Sequence, residues 1–387
     1  MRFSYTHHMP YTDIKAAGQD WPVPNKQFDA EKGAQMMRTY IDDKIYAEEV
    51  GFDWIACNEH HMSPYGLMPN PNLIGSILAH NTKRSGILMS GNIVPIVNPI
   101  RVAEEYAMID AISGGRLIAG FMRGIPHEYV AYNCPPDESY GRMFEAVELI
   151  RKAWSEPEPF GWEGEYYQFR AVSIWPKPVQ KEVPLLMSVS SEMSSKLAAK
   201  HKAIAGVLGI SSLDDARRIM ARFHEDAKEY GWAPTPQHFM VGMNCCIAPT
   251  YEEAKAILEG GQEYFFGVLG GGIRTAQKLV VSKTRYYHDT KVAAAQAERF
   301  VNNRGAGRKE TSFDEKIEAG TILCGTPDMV VKQIERLHKE LGHARMGLSV
   351  KVGNVSDAHV TRTLNYLKDQ VFPATRHLGE GRQKAAE

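Results

Sequence analysis

Two adjacent histidines, His60 and His61, follow the apolar run Phe52-Asp53-Trp54-Ile55-Ala56-Cys57 by way of Asn58 and Glu59. An unperturbed imidazole titrates near neutrality, so either ring can hold or move a proton at working pH. Neighbouring residues on an extended chain point to opposite faces, which disfavours a single metal held by both. A second chemical group is Arg123, next to Gly124. A guanidinium fork beside a residue without a side chain is well shaped to grip a phosphate at close approach. A third is Ser190-Ser191-Glu192-Met193-Ser194-Ser195, which opens a helix-like segment. Hydroxyls and unpartnered leading amides at a helix start form an anion site. Each group also has a plainer structural role: His60 or His61 as a loop cap, Arg123 as the ion-pair partner of Glu128 or Glu138, and the serines as simple helix caps.

The elements that must carry these groups alternate in type. Strand-like runs at Arg2 to Thr6, Trp54 to Cys57, Ile87 to Val94, Arg116 to Met122, Leu185 to Val189, Ala203 to Leu208, Phe239 to Ala248 and Arg345 to Val350 are mostly separated by amphipathic segments. Gly33 to Val50, Pro71 to Asn81, Pro99 to Ser113, Tyr140 to Trp154 and Leu213 to Tyr230 keep helical spacing, several with a first-turn proline or a capping hydroxyl. Eight strands alternating with helices predict an α/β fold, a closed (β/α)8 TIM barrel with insertions. The histidines, Arg123 and the serines all follow strands, and therefore fall at the mouth where such barrels keep their chemistry. The expected layout is one barrel domain over 1–375, a hairpin insertion near 158–182 and a polar tail over 376–387. The long polar stretch near 267–312 reads as a lid-like insertion or an oligomer contact.

Composition narrows the partners. Lys plus Arg (45) nearly balances Asp plus Glu (46), so no broad field favours nucleic acid or an anionic membrane. The five cysteines include no CxxC pair, which argues against a disulfide framework or a structural zinc site and for a reducing, cytoplasmic setting. No run approaches a membrane span, and the first residues read as a strand rather than a signal peptide. A small molecule is the expected ligand. Met62, Tyr65, Met68, Met122 and Tyr129 either line an apolar pocket for it or belong to the core.

Several ordered motifs carry a resemblance. Glu59-His60-His61, Asn98-Pro99-Ile100-Arg101-Val102-Ala103-Glu104, Ser113-Gly114-Gly115-Arg116-Leu117 and Gly120-Phe121-Met122-Arg123-Gly124 together resemble the bacterial luciferase-like flavin monooxygenases. Gly161 to Tyr167, Pro176-Lys177-Pro178-Val179-Gln180, Gly325-Thr326-Pro327-Asp328 and Leu364 to Pro373 extend the likeness in order along the chain. The resemblance implies a luciferase-like barrel and a two-component enzyme that uses reduced FMN and O2 through a C4a-peroxyflavin to oxygenate a small organic substrate. It implies His60 as the catalytic histidine, with His61 supporting it, and Arg123 and the Ser190, Ser191 and Ser194 turn on the flavin phosphate. Where the luciferase α-subunit pattern has a glutamate beside the first serine, this chain has Ser190. Asn58 and Asn92 are expected near the flavin ring, with a cis peptide at Gly91-Asn92. A separate NAD(P)H:flavin reductase is the implied partner, since no Gly-rich dinucleotide-binding unit is added, and the enzyme is expected to be a dimer or tetramer.

Other readings remain open at this stage. An F420-dependent hydride-transfer oxidoreductase resembles the same superfamily. A metal-dependent hydrolase would recruit His7 or His8 to a metal with His60, although strand one carries no His-x-His. A flavin-binding relative without turnover is a third, and fold alone does not choose among them.

Overall fold

The computed structural model describes residues 1–14, 22–271, 276 and 312–379. Strands β1 (Arg2–Thr6), β2 (Trp54–Cys57), β3 (Gly86–Met89), β4 (Leu117–Met122), β5 (Leu185–Ser188), β6 (Ile204–Val207), β7 (Phe239–Ile247) and β8 (Arg345–Ser349) each pair in parallel with the next. β8 then closes on β1, with Arg2 opposite Arg345 and Thr6 opposite Ser349. The result is a closed eight-stranded parallel barrel wrapped by helices.

Its strands are short and apolar on both sides, because a parallel barrel buries one face in the lumen and the other under helices. Trp54, Ala56, Leu88, Ile118, Leu186, Ile204 and Met240, drawn from β2 through β7, form a cluster of their own. Their alternate neighbours Ile55, Cys57, Ile87 and Met89 belong to the larger cluster shared with the helices. The guanidinium of Arg345 lies 4.7 Å from the Trp54 ring centre and covers one end of the inner cluster.

Capping fixes where the helices begin, and so where the loops of the mouth are anchored. Asp29 caps Ala30–Val50, Asn70 caps Pro71–Asn81 and Asn98 caps Pro99–Ser113, each side chain accepting from backbone amides of the first turn. The last of these helices stops at Gly114, whose φ of 68° lies in the left-handed region. Phe160–Glu163 and Gln168–Val172 form the expected antiparallel hairpin. It is tied to the helix Ser139–Ser155 by Glu145, whose carboxylate accepts from Trp162 Nε1 and from the amides of Tyr166 and Tyr167.

Three features differ from the sequence expectation. The third strand is not continuous to Val94: it ends at Met89, and Asn92–Ile93 resumes separately against β4. Between them the Ser90–Gly91 peptide is cis, one bond earlier than Gly91-Asn92. Gly91 crosses so close to β4 that a Cβ on it would meet the Gly120 carbonyl oxygen at 2.2 Å. The stretch before Gly325 is also more ordered than a loop. Phe313–Glu318 is helical, and the four-residue strand Ile322–Gly325 pairs with the second half of β7, from Asn244 to Ile247. Finally, Arg376 is not part of a free tail. It bonds Asp53 and the Gly51 carbonyl and stacks over Phe372. The remaining part of the expected lid, 272–275 and 277–311, and the tail from 380 lie outside the described residues. Among the described residues no helix is long and apolar enough to cross a membrane.

Candidate active site at the barrel mouth

The chain leaves β2 at Cys57, and the next four residues each make a different arrangement. Both amide atoms of the Asn58 side chain are buried without a hydrogen-bond partner among the described residues. A buried polar pair of this kind is uncommon. Glu59 is buried, and its Oε2 accepts from the Ile93 amide at 2.8 Å. Its Oε1 lies 2.7 Å from His61 Nε2. Burial raises the Glu59 pKa above the usual carboxylate range, opposed by the His61 and Ile93 bonds. His61 is 4% exposed, and its Nδ1 meets the Tyr132 hydroxyl at 2.9 Å.

His60 faces the other way, as chain alternation requires. Its Nδ1 lies 3.0 Å from Oε1 of Glu128, whose side chain is 1% exposed. The other oxygen, Oε2, accepts from the Ile125 amide at 2.7 Å. His8, from the end of β1, stacks on the His60 ring with centroids 5.3 Å apart, and Tyr65 meets it edge-on at 4.8 Å. The ring also borders an open groove of about 400 Å³ lined in addition by Phe28, Met37, Met62, Leu67 and Pro69. Of the five pocket candidates, Met62 lines this groove and is half exposed, Tyr65, Met68 and Tyr129 are buried, and Met122 packs against the inner cluster.

Arg123 follows β4. Its guanidinium carbon sits 4.4 Å from the Tyr140 ring centre, and Nη1 donates to Ser139 Oγ at 3.2 Å. The Tyr140 hydroxyl donates to Ser191 Oγ at 2.8 Å. Ser191 in turn caps the helix Glu192–Lys200: its side chain accepts from the Ser194 amide, and the two hydroxyl oxygens are 2.8 Å apart. One tyrosine ring therefore joins the guanidinium to a helix N-terminus, and both features favour an anion.

The structure thus brings together Asn58, His60 and His61 on one loop, and Arg123, Ser191 and Ser194 through Tyr140. Two candidates fall less centrally. Ser190 is exposed, with its hydroxyl 3.2 Å from Ser188 Oγ. Asn92 is buried and its amide exchanges two hydrogen bonds with that of Asn72, at 2.8 and 3.0 Å, so the side chain is turned toward the helix Pro71–Asn81. Of the carboxylates weighed as partners for Arg123, Glu128 lies against His60 and Glu138 pairs with Arg142. Of the two histidines that follow β1, His7 is fully buried and its Nδ1 accepts from the Met9 amide, while His8 reaches the mouth. Among the described residues no three His, Cys, Asp or Glu side chains gather as a metal site.

Glu128 was read only as a partner for Arg123, not for His60, and Tyr140 was missed by sequence reasoning. Their partners lie 68 and 51 positions away, and no local pattern distinguishes a buried glutamate or a bridging tyrosine from its neighbours. His127, beside Glu128, is also buried; its Nε2 reaches the His61 carbonyl at 3.2 Å, and burial pushes its pKa down to about 4.

A parallel barrel whose mouth holds an imidazole–carboxylate couple, and a guanidinium linked to a helix N-terminus, has groups suited to moving protons and to binding an anion. Residues 30–344 match the family model of the luciferase-like monooxygenases, and the chain belongs to that family. Among relatives, the alkanal monooxygenase alpha chain of Photobacterium leiognathi is 22% identical over 89% of this chain and 94% of its own. The oxygenase component of the flavin-dependent trigonelline monooxygenase of Acinetobacter baylyi is 23% identical over 69% of this chain and 74% of its own. With other curated relatives the match spans little more than half their length, as with the Photorhabdus luminescens alkanal monooxygenase alpha chain, 27% identical over 51% of this chain and 55% of its own. Among solved structures, the oxygenating constituent of 3,6-diketocamphane monooxygenase from Pseudomonas putida, in complex with FMN, superposes with a TM-score of 0.71 at 19% identity, covering 96% of this chain and 98% of its own. An F420-dependent secondary alcohol dehydrogenase gives 0.66 at 18% identity, covering 97% and 99%. At such identities these likenesses establish the fold.

Proposed function

We propose that this chain is the oxygenase component of a two-component monooxygenase, carried on one barrel domain over 1–375, that takes reduced FMN from a separate NAD(P)H:flavin reductase. The observation that carries the reading is the link from Arg123 through the Tyr140 ring to Ser191, which joins a cation and a helix start, two features that favour a terminal phosphate. Arg123, Ser191 and Ser194 would hold that phosphate, with Ser190 at the edge of the turn. Asn58 would bond the flavin ring through its otherwise unpartnered amide, and Asn92 would support the same wall through its backbone. When bound, reduced flavin supplies two electrons to O2, so that one oxygen atom enters the substrate and the other leaves as water.

The chain's own residues would then act on protons and on water. His60 is the proton-handling group, its ring fixed by Glu128 below and by His8 and Tyr65 at its faces. His61 supports it by holding the Glu59 carboxylate, which anchors the backbone at Ile93. The apolar lining of the groove beside His60 supports a small apolar organic substrate. A homo-oligomer, dimer or tetramer, belongs to the proposal: Leu73, Ile77, Met108 and Ile112 on adjoining helices are all exposed. A cytoplasmic location accords with five free cysteines.

The test is an anaerobic titration of the purified protein with reduced FMN, oxidised FMN and F420, followed by rapid mixing with O2. Tight binding of reduced FMN and a transient near-ultraviolet absorbance after mixing are expected. Binding of F420 without measurable affinity for FMN would replace this reading with hydride transfer.

A further inference from the structure

We propose a second anion site, for a small oxyanion such as phosphate or a carboxylate, held by Arg2 and Arg345 at the end of the barrel opposite the mouth. These residues open β1 and β8, the first and last barrel strands, and are in-register partners across the seam that closes the barrel. Neighbouring parallel strands run about 4.8 Å apart, and in-register side chains leave the sheet on the same face. That face is the lumen. The Arg345 guanidinium covers the Trp54 ring of the inner cluster, and Ser4, two residues after Arg2, turns its hydroxyl to Met240 of the same cluster. The closing seam therefore begins with two like charges side by side, an arrangement that repels.

Among the described residues neither guanidinium forms an ion pair, and Arg345 Nε is buried without a hydrogen-bond partner. The charge of Asp53 reaches Arg345, but its Oδ2 already accepts from the Phe3 amide and from Arg376. Burial, with the charge of Arg2 added, lowers the Arg345 pKa to about 10, which still leaves a cation at neutral pH. Withdrawing part of a cation from water without a counter-charge is costly. An oxyanion answers both residues at once. Each guanidinium presents its N–H donors in a planar fork that fits two oxygens of a phosphate or carboxylate, and the Trp54 ring holds the Arg345 fork in place beforehand. The N-terminal end of a barrel serves stability rather than chemistry. An anion there bridges the first and last strands, so its effect falls on unfolding and does not depend on the flavin reading above.

The experiment is thermal unfolding of the flavin-free protein in increasing sodium phosphate or sodium acetate, with sodium chloride holding the ionic strength constant. The melting temperature is expected to rise by roughly 2 to 4 °C once the oxyanion reaches about ten times its dissociation constant. Arg123→Ala removes the cation at the mouth and is expected to keep the rise, which separates the seam from the flavin cradle. Arg345→Met retains a straight apolar chain to cover Trp54 and is expected to lose the rise. Arg2→Gln, at an exposed position, is expected to move the midpoint to roughly tenfold higher oxyanion concentration. A response to either oxyanion upholds the site, and the one effective at lower concentration is its ligand. No rise beyond the chloride baseline overturns the proposal, as does a rise that Arg123→Ala abolishes. Should Arg345→Met not fold, Arg2→Gln decides alone: an unmoved midpoint overturns the proposal.

Discussion

Replacing Arg123 with alanine tests the phosphate cradle against a purely structural role. The guanidinium is held between Tyr140, 4.4 Å from its ring centre, and Ser139 Oγ at 3.2 Å, so it meets a ligand already oriented. A charge-assisted contact to phosphate is worth about 1.5 to 3 kcal/mol, roughly ten- to a hundredfold in FMN affinity. Riboflavin has the same ring system without the phosphate, and its affinity is expected to change by less than about threefold. Tyr140→Phe isolates the second half of the cradle. It keeps the ring under Arg123 but removes the hydroxyl that bonds Ser191 Oγ at 2.8 Å, a neutral bond worth about 0.5 to 1.5 kcal/mol, or roughly two- to tenfold. Titration of both flavins by fluorescence quenching, at low and high salt, measures all of these. Equal losses for FMN and riboflavin in Arg123→Ala would refute the reasoning and make the residue a structural one.

Two further outcomes follow from buried groups near the mouth. His61→Ala removes the partner of a carboxylate that is itself 3% exposed, and is expected to cost about 3 kcal/mol of folding stability in urea titrations; a change below about 1 kcal/mol would show that Glu59 finds another partner. His127 stays neutral in the fold down to about pH 4, whereas the unfolded chain takes up that proton near pH 6.5, so the unfolded state binds more protons in between. Its contribution is therefore complete above about pH 6.5 and is lost as the pH falls toward 4, by about 2 kcal/mol at pH 5; His127→Gln should flatten that part of the stability profile, and an unaltered profile would contradict it.

The barrel was legible because its causes are local. Trp54 to Cys57, Arg2 to Thr6 and Pro99 to Ser113 carry their own apolar runs, caps and stop signals, and these elements lie where the sequence puts them. What could not be read depends on contacts across the fold. The break in strand three follows from the approach of Gly91 to Gly120 on the neighbouring strand, which no periodicity records. Ile322–Gly325 is only four residues long and borrows its order from β7. At the site, residue types were readable and partners were not. His60 and Arg123 stand out by chemistry, but the contact of Glu128 with His60 depends on the short helix Pro126–Ala131. Asn92 shows the converse, a polar residue at a strand end whose amide is taken up by Asn72 rather than offered to the mouth.

The central claim is that His60 handles a proton during oxygen transfer rather than shaping the loop after β2. The direct measurement is product and hydrogen peroxide formed per reduced FMN consumed, for the unsubstituted protein and His60→Ala, alongside FMN affinity and melting temperature. The account predicts that product falls by about 10² to 10⁴ and peroxide rises to replace it, while FMN affinity stays within a few fold. An unimpaired product yield in His60→Ala, or a loss of flavin binding and thermal stability together with the product-to-peroxide ratio unchanged, would contradict it.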